Sequence, residues 1–120
     1  MGKFGIVAVL LAAIFNAAPA LADISDSQLE GLIGWTIIGT KKISGYVKED
    51  GAEVSGFAGC DHGRVIIFSD RTTVTCQSYG YHYSFVPTAV LLGKTVSHEG
   101  QSFTLLKMIV NDNIYDVSAH

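Results

Sequence analysis

The chain has 120 residues, 48% of them hydrophobic, and a formal net charge of −3. That length allows one domain with a thin core and leaves no room for a second. The basic residues form no run longer than two, so binding to nucleic acid by phosphate neutralisation is excluded as the working expectation.

Residues 1–22 have the order of a secretory leader. Met1, Gly2 and Lys3 form a short basic start, residues 4–15 carry no charge, and Ala20, Leu21 and Ala22 make a small-x-small cleavage site before Asp23. The apolar run is shorter than the roughly 20 residues a bilayer span needs. No cysteine lies at the cleavage site to take a lipid. The expected product is residues 23–120, periplasmic or secreted, with no transmembrane segment after cleavage.

Residues 25–33 give the only helix signal: Ser25 and Gln28 have capping-box spacing, and Leu29, Leu32 and Ile33 share a side. Gly34 would end it as a left-handed cap. Two turns are marginal alone, so the helix is expected to cover an open end or an edge of a sheet.

Everything after Gly34 reads as strand and turn. Residues 35–47 are rich in β-branched and aromatic residues, with Gly39 and Gly45 marking bulges or bends in one long strand or two short ones. Residues 48–51 carry the Asp-Gly hairpin signal, residues 53–58 form a strand, and residues 59–63 a loop holding Cys60, Asp61 and His62. Residues 64–68 are apolar on both faces, as in a central strand. After a turn at residues 69–71, residues 72–78 alternate, with Val74 and Cys76 on one side. A two-residue turn at Asp70 and Arg71 would set Cys76 opposite Val65. Residues 88–92 and 102–110 are further strands joined through residues 93–101. A turn at residues 111–113 leads to a last strand at residues 114–117. Strands at this spacing predict an all-β domain, a small antiparallel barrel, roll, meander or sandwich of about six strands with one short N-terminal helix.

The two cysteines, Cys60 and Cys76, lie sixteen residues apart. In an exported domain they predict a disulfide worth about 3 kcal/mol by loop entropy. A metal site of Cys60, His62, Cys76 and His82 fits no zinc spacing, and no metal or other cofactor is expected.

The most unusual stretch is residues 79–85. If extended, Tyr79, Tyr81, Tyr83 and Phe85 share one face, and Gly80, His82 and Ser84 the other. The expectation favoured here is a buried core ladder, because so small a domain has few other large side chains. The alternative is an exposed platform that stacks sugar rings, proline-rich peptide or bases, with His82 beside it. An intermediate arrangement leaves Tyr81 and Tyr83 half exposed at a groove beside Gly80. Pro87 ends regular pairing or marks an edge, where a partner strand could add.

Asp61, His62, Gly63 and Arg64 place an acid, an imidazole and a guanidinium in one loop. With Glu53, His82 or His98 nearby they could form an acid–base pair, but a polar turn is the simpler reading. No nucleophile elbow, His-Glu-x-x-His or phosphate loop occurs, and no catalytic residue is assigned.

Two stretches carry a resemblance. One is residues 57–61 (Phe-Ala-Gly-Cys-Asp) followed by residues 64–68 (Arg-Val-Ile-Ile-Phe). The other is residues 79–83 (Tyr-Gly-Tyr-His-Tyr) followed by residues 87–92 (Pro-Thr-Ala-Val-Leu-Leu). Together, over about residues 34–117, they resemble small exported proteins of proteobacteria to which no activity is assigned. The resemblance implies a periplasmic or secreted location and transfers no site. The sequence therefore favours a non-catalytic binding or structural module of the cell envelope, whose partner would be an envelope glycan or protein. The other readings are an inhibitor of a hydrolase such as a lysozyme or protease, and a small hydrolase using His62 or His82 with Asp61.

Overall fold

The computed structural model describes residues 24–119. The expected leader at residues 1–22 and the C-terminal His120 lie outside them. The described residues form one helix, α1 (Asp26–Glu30), and nine strands. These are β1 (Thr36–Val47), β2 (Glu53–Ser55), β3 (Phe57–Cys60), β4 (Val65–Phe68), β5 (Thr73–Cys76), β6 (Gly80–Ser84), β7 (Thr88–His98), β8 (Gln101–Val110) and β9 (Asn113–Ala119).

Six strands close into an antiparallel barrel in the order β1–β4–β5–β9–β8–β7, with β7 returning to pair with β1. Closure depends on β1, which pairs with β7 through Thr36–Lys42 and with β4 beyond Ile43. The change of partner happens in one continuous strand because it is bulged twice, between Ile37 and Gly39 and between Ile43 and Gly45. A bulge bends and twists a strand, and the glycines expected to mark bends sit at both. β2 extends β1 on its outer edge, while β3 and β6 form a separate two-stranded ribbon.

Two of the hairpin turns share one construction. At residues 48–52, the Lys48 N–H donates to the Ala52 carbonyl, the Gly51 N–H to the Lys48 carbonyl, and the Ala52 N–H to Asp50 Oδ1. At residues 68–72 the same three bonds recur from Phe68, Arg71 and Thr72, with Asp70 in the place of Asp50. Arg71 takes the left-handed position that Gly51 fills in the first turn, at φ 68°. The connection is thus three residues long, not two, and the expected register is corrected by one: Val65 pairs with Thr75, and the Cys76 N–H donates to the Arg64 carbonyl.

Three further boundaries differ from expectation. Gly56 adopts φ 91° and divides the single strand expected at residues 53–58 into β2 and β3. Cys60 ends β3 instead of opening a loop. The connection expected at residues 93–101 is mostly strand, because β7 and β8 pair without a break from Ala89–Val110 to His98–Gln101 around a two-residue turn. That turn is Glu99-Gly100, both left-handed, as a type I′ hairpin requires.

The barrel interior is filled by side chains, as in other small barrels. Ile43, Ile66, Phe68, Met108 and Val110 are fully buried there, and the ribbon adds Phe57, whose ring meets that of Tyr115 edge-on at 5.7 Å. The Cys60–Cys76 disulfide joins the end of β3 to the end of β5 inside this core, with Cα atoms 5.6 Å apart.

The N-terminal segment starts as expected, with the Ser25–Gln28 capping box formed in both directions. The regular helix ends at Glu30, and single-turn bonds carry the chain to Gly34 at φ 87°. The segment covers the outer wall of the barrel and not its open end or edge. Ile24, Leu32 and Trp35 pack on Val90, Leu92 and Ile109, and the Gln28 amide donates to the Asp112 carbonyl at 3.1 Å. The strong alternation of β7 therefore faces two apolar layers, Ala89 and Leu91 toward the interior, Val90 and Leu92 toward the segment.

Candidate functional site

β6 is the strand that places the aromatic row. Its pairing with β3 sets Phe57 opposite Ser84 and Ala58 opposite Tyr83. Directly opposed residues in a sheet point the same way, so once Phe57 enters the core, Ser84 faces inward and Tyr83 outward. The same alternation turns Gly80 and His82 inward. Space explains the choice: a Cβ on Gly80 would stand 2.9 Å from Cε1 of Tyr115, so the inner face admits no larger side chain there.

The outward face carries Tyr79, Tyr81, Tyr83 and Phe85 at 76%, 72%, 65% and 76% exposure. The expected core ladder is corrected: Phe57, Phe68 and Tyr115 are the large aromatics of the interior, and the row lies outside. The alternative arrangement, with Tyr81 and Tyr83 half exposed at a groove beside Gly80, is likewise not formed, since both rings are largely open. Four rings at two-residue steps extend over about 20 Å. From residue 77 to residue 93 the sequence has no Asp, Glu, Lys or Arg, so the stretch that carries the row is itself uncharged. His82 beneath it is held by Asn111, whose Nδ2 lies 2.6 Å from its Nε2.

Val86 and Pro87 end the row. Val86 is left-handed at φ 46°, which is costly for a β-branched residue. The Pro87 carbonyl accepts from the Ile43 N–H at 2.9 Å and returns the chain to the barrel beside β1. Pro87 thus marks the end of the ribbon rather than a break in the barrel wall.

The second candidate, residues 61–64, forms the polar turn. Asp61 Oδ1 accepts from the His62 N–H at 2.9 Å, and the Asp61 carbonyl accepts from the Arg64 N–H at 2.8 Å. Arg64 stacks its guanidinium 4.7 Å from the ring centre of Tyr46 and donates to the carbonyls of Ala58 and Gly59. A shallow concavity of about 230 Å³ lies beside it, between residues 47–49 and 61–65.

The partners proposed for acid–base work are engaged elsewhere. Glu53 pairs with Arg71 at 3.2 Å, His98 with Glu99 at 3.7 Å, and His82 with Asn111. The structure does not assemble Asp61 with an imidazole through a side-chain bond. The Cys/His metal set is dismantled by the disulfide, which consumes both thiols.

One cluster went unnoticed in the sequence. Lys41 bonds both Asp70, at 2.8 Å, and the Thr72 hydroxyl, at 2.6 Å, linking β1 to the β4–β5 turn. The Lys41 and Thr72 bonds hold the Asp70 carboxyl well below the usual carboxylate range. Its two-residue Asp-x-Thr spacing was the available signal.

Comparison with protein families, with curated proteins and with solved structures finds no match.

Proposed function

We propose that this protein is a non-catalytic binding module of the cell envelope, and that it holds an uncharged, chain-like ligand by stacking on Tyr79, Tyr81, Tyr83 and Phe85. The observation that carries this reading is the exposure of all four rings in one line. Side chains of this size are normally spent on a core, and here four remain in water. An extended apolar strip of this kind marks an interaction surface. The row lines none of the concavities described, so it suits a polymer lying across the strand more than a small molecule enclosed in a cavity. The stretch that carries the row, residues 77–93, is itself uncharged, which fits a neutral glycan and supplies no cation of its own for a nucleic-acid backbone.

Export is part of the same proposal. Its supports are the leader-like order of residues 1–22 and a buried disulfide, which suits an oxidising compartment. The exported product would begin at Asp23, which mass spectrometry of the mature protein tests directly.

Binding is tested by co-sedimentation with insoluble neutral polysaccharides and with peptidoglycan. A protein carrying both Tyr81→Ala and Tyr83→Ala should lose about tenfold or more in affinity while keeping its melting temperature. Equal retention of the wild type and this variant on every polymer would remove the stacking surface from the argument.

A further inference from the structure

The open edges of the two sheets are not guarded alike. β2 has three residues, and its Glu53 is paired with Arg71. On β3 the Arg64 guanidinium occupies the carbonyls of Ala58 and Gly59, at 3.5 and 3.2 Å. β6 pairs with β3 alone among the described residues, and its one device of this kind is a bulge, where Tyr81 and His82 stand opposite Gly59. It holds no lysine, acid or proline, and the nearest proline, Pro87, lies beyond its end. Charges, prolines and bulges are what keep natural sheet edges from pairing with another chain.

β6, taken with the one residue flanking it on each side, is its own mirror about His82. One step either way lie Tyr81 and Tyr83, two steps Gly80 and Ser84, three steps Tyr79 and Phe85. The order is aromatic, small, aromatic in both directions. A two-fold contact needs a surface complementary to itself, and an antiparallel pair of identical strands with this pattern has it.

We infer that a second copy of this chain adds at the free edge of β6, antiparallel and in register about His82. Tyr81 then lies opposite the partner's Tyr83, Tyr79 opposite the partner's Phe85, and Gly80 opposite the partner's Ser84. Opposed aromatic pairs stabilise a sheet, and the new ladder pairs backbone groups that β3 leaves open. The two ribbons become one four-stranded sheet with both aromatic rows on the same face. This deepens the stacking reading, since the platform doubles in width, but it stands on the edge and the palindrome and not on any ligand.

Analytical ultracentrifugation across a micromolar to submillimolar range tests it. The expected result is a dimer that dissociates on dilution. Tyr81→Lys with Tyr83→Lys sets like charges opposite each other in both central pairs and should weaken association about tenfold or more. Tyr81→Lys with Tyr83→Glu sets opposite charges there and should keep the dimer. Both double variants change exposed side chains only, and circular dichroism checks that they fold. A monomer at every concentration overturns the inference, as do two double variants that associate equally well or equally badly. A monomer that still sediments with a polysaccharide refutes the pairing and leaves the stacking surface. A dimer that binds none of the polymers does the reverse.

Discussion

Tyr115 buries a phenol with nothing to bond it. The residue is 2% exposed, and its hydroxyl has no hydrogen-bond partner among the described residues. Burial, with the Asp112 charge adding to it, pushes this phenol above its ordinary value of 10.0. Tyr115→Phe removes an unpaired polar atom and keeps the ring against Phe57, so stability should hold or rise by up to about 1 kcal/mol. The sign with pH follows. Above pH 10 the unfolded chain ionises this phenol while the folded protein keeps it neutral, so stability falls as pH rises. Urea unfolding at high pH should show that fall flattened in Tyr115→Phe. Asp70 acts at the other end of the scale. Its carboxyl is held low by Lys41 and Thr72, so its contribution is present above about pH 4 and lost as pH falls further. Asp70→Asn should therefore unfold with a shallower acid limb than the wild type.

At the scale of elements, two turn positions decide the sheet. Arg71 stands where its twin turn has Gly51, so Arg71→Gly relieves a left-handed side chain at the cost of an exposed ion pair with Glu53. The change should be neutral or stabilising by about 1 kcal/mol in chemical denaturation. Gly59 is the opposite case. It adopts φ 85°, and a Cβ there would stand 2.0 Å from the Gly80 carbonyl oxygen. Gly59→Ala should part β3 from β6 and cost more than about 2 kcal/mol, with tyrosine fluorescence reporting the displaced row. These positions also explain what was legible. Glycine-based turns and the Ser25–Gln28 cap could be read, because each has a residue type tied to a backbone shape. The β4–β5 register could not, because an arginine fills the glycine position. Gly93 suggested a break and is instead a point of close packing, where the Ile38 side chain lies 3.4 Å from where a Cβ would be. The row on β6 was legible as a shared face. Which face met the core was not, because that depends on Tyr115 and Phe57, far away in sequence.

For the whole molecule, the disulfide is the main covalent restraint. It closes sixteen residues and ties the ribbon to the barrel, so reduction should cost about 3 kcal/mol and lower Tm by roughly 15 °C. Differential scanning calorimetry with and without reductant measures this, and equal transitions would show the bond to be idle. The all-β class, the strand count of the barrel and the pairing of the cysteines were all readable, since each follows from periodicity, turn spacing or the presence of only two thiols. The candidate catalytic loop was not excluded by its residues. It took their actual partners to show a turn stabilised from within.

The doubly bulged β1 has a consequence for how the chain acquires its form. It is the first of the described strands to be made, yet it is the seam of the cylinder and pairs with both β4 and β7. Half of the pairings that fix it, those with β7, come from residues made much later, and such non-local topologies fold slowly. The cylinder cannot close before β7 is made.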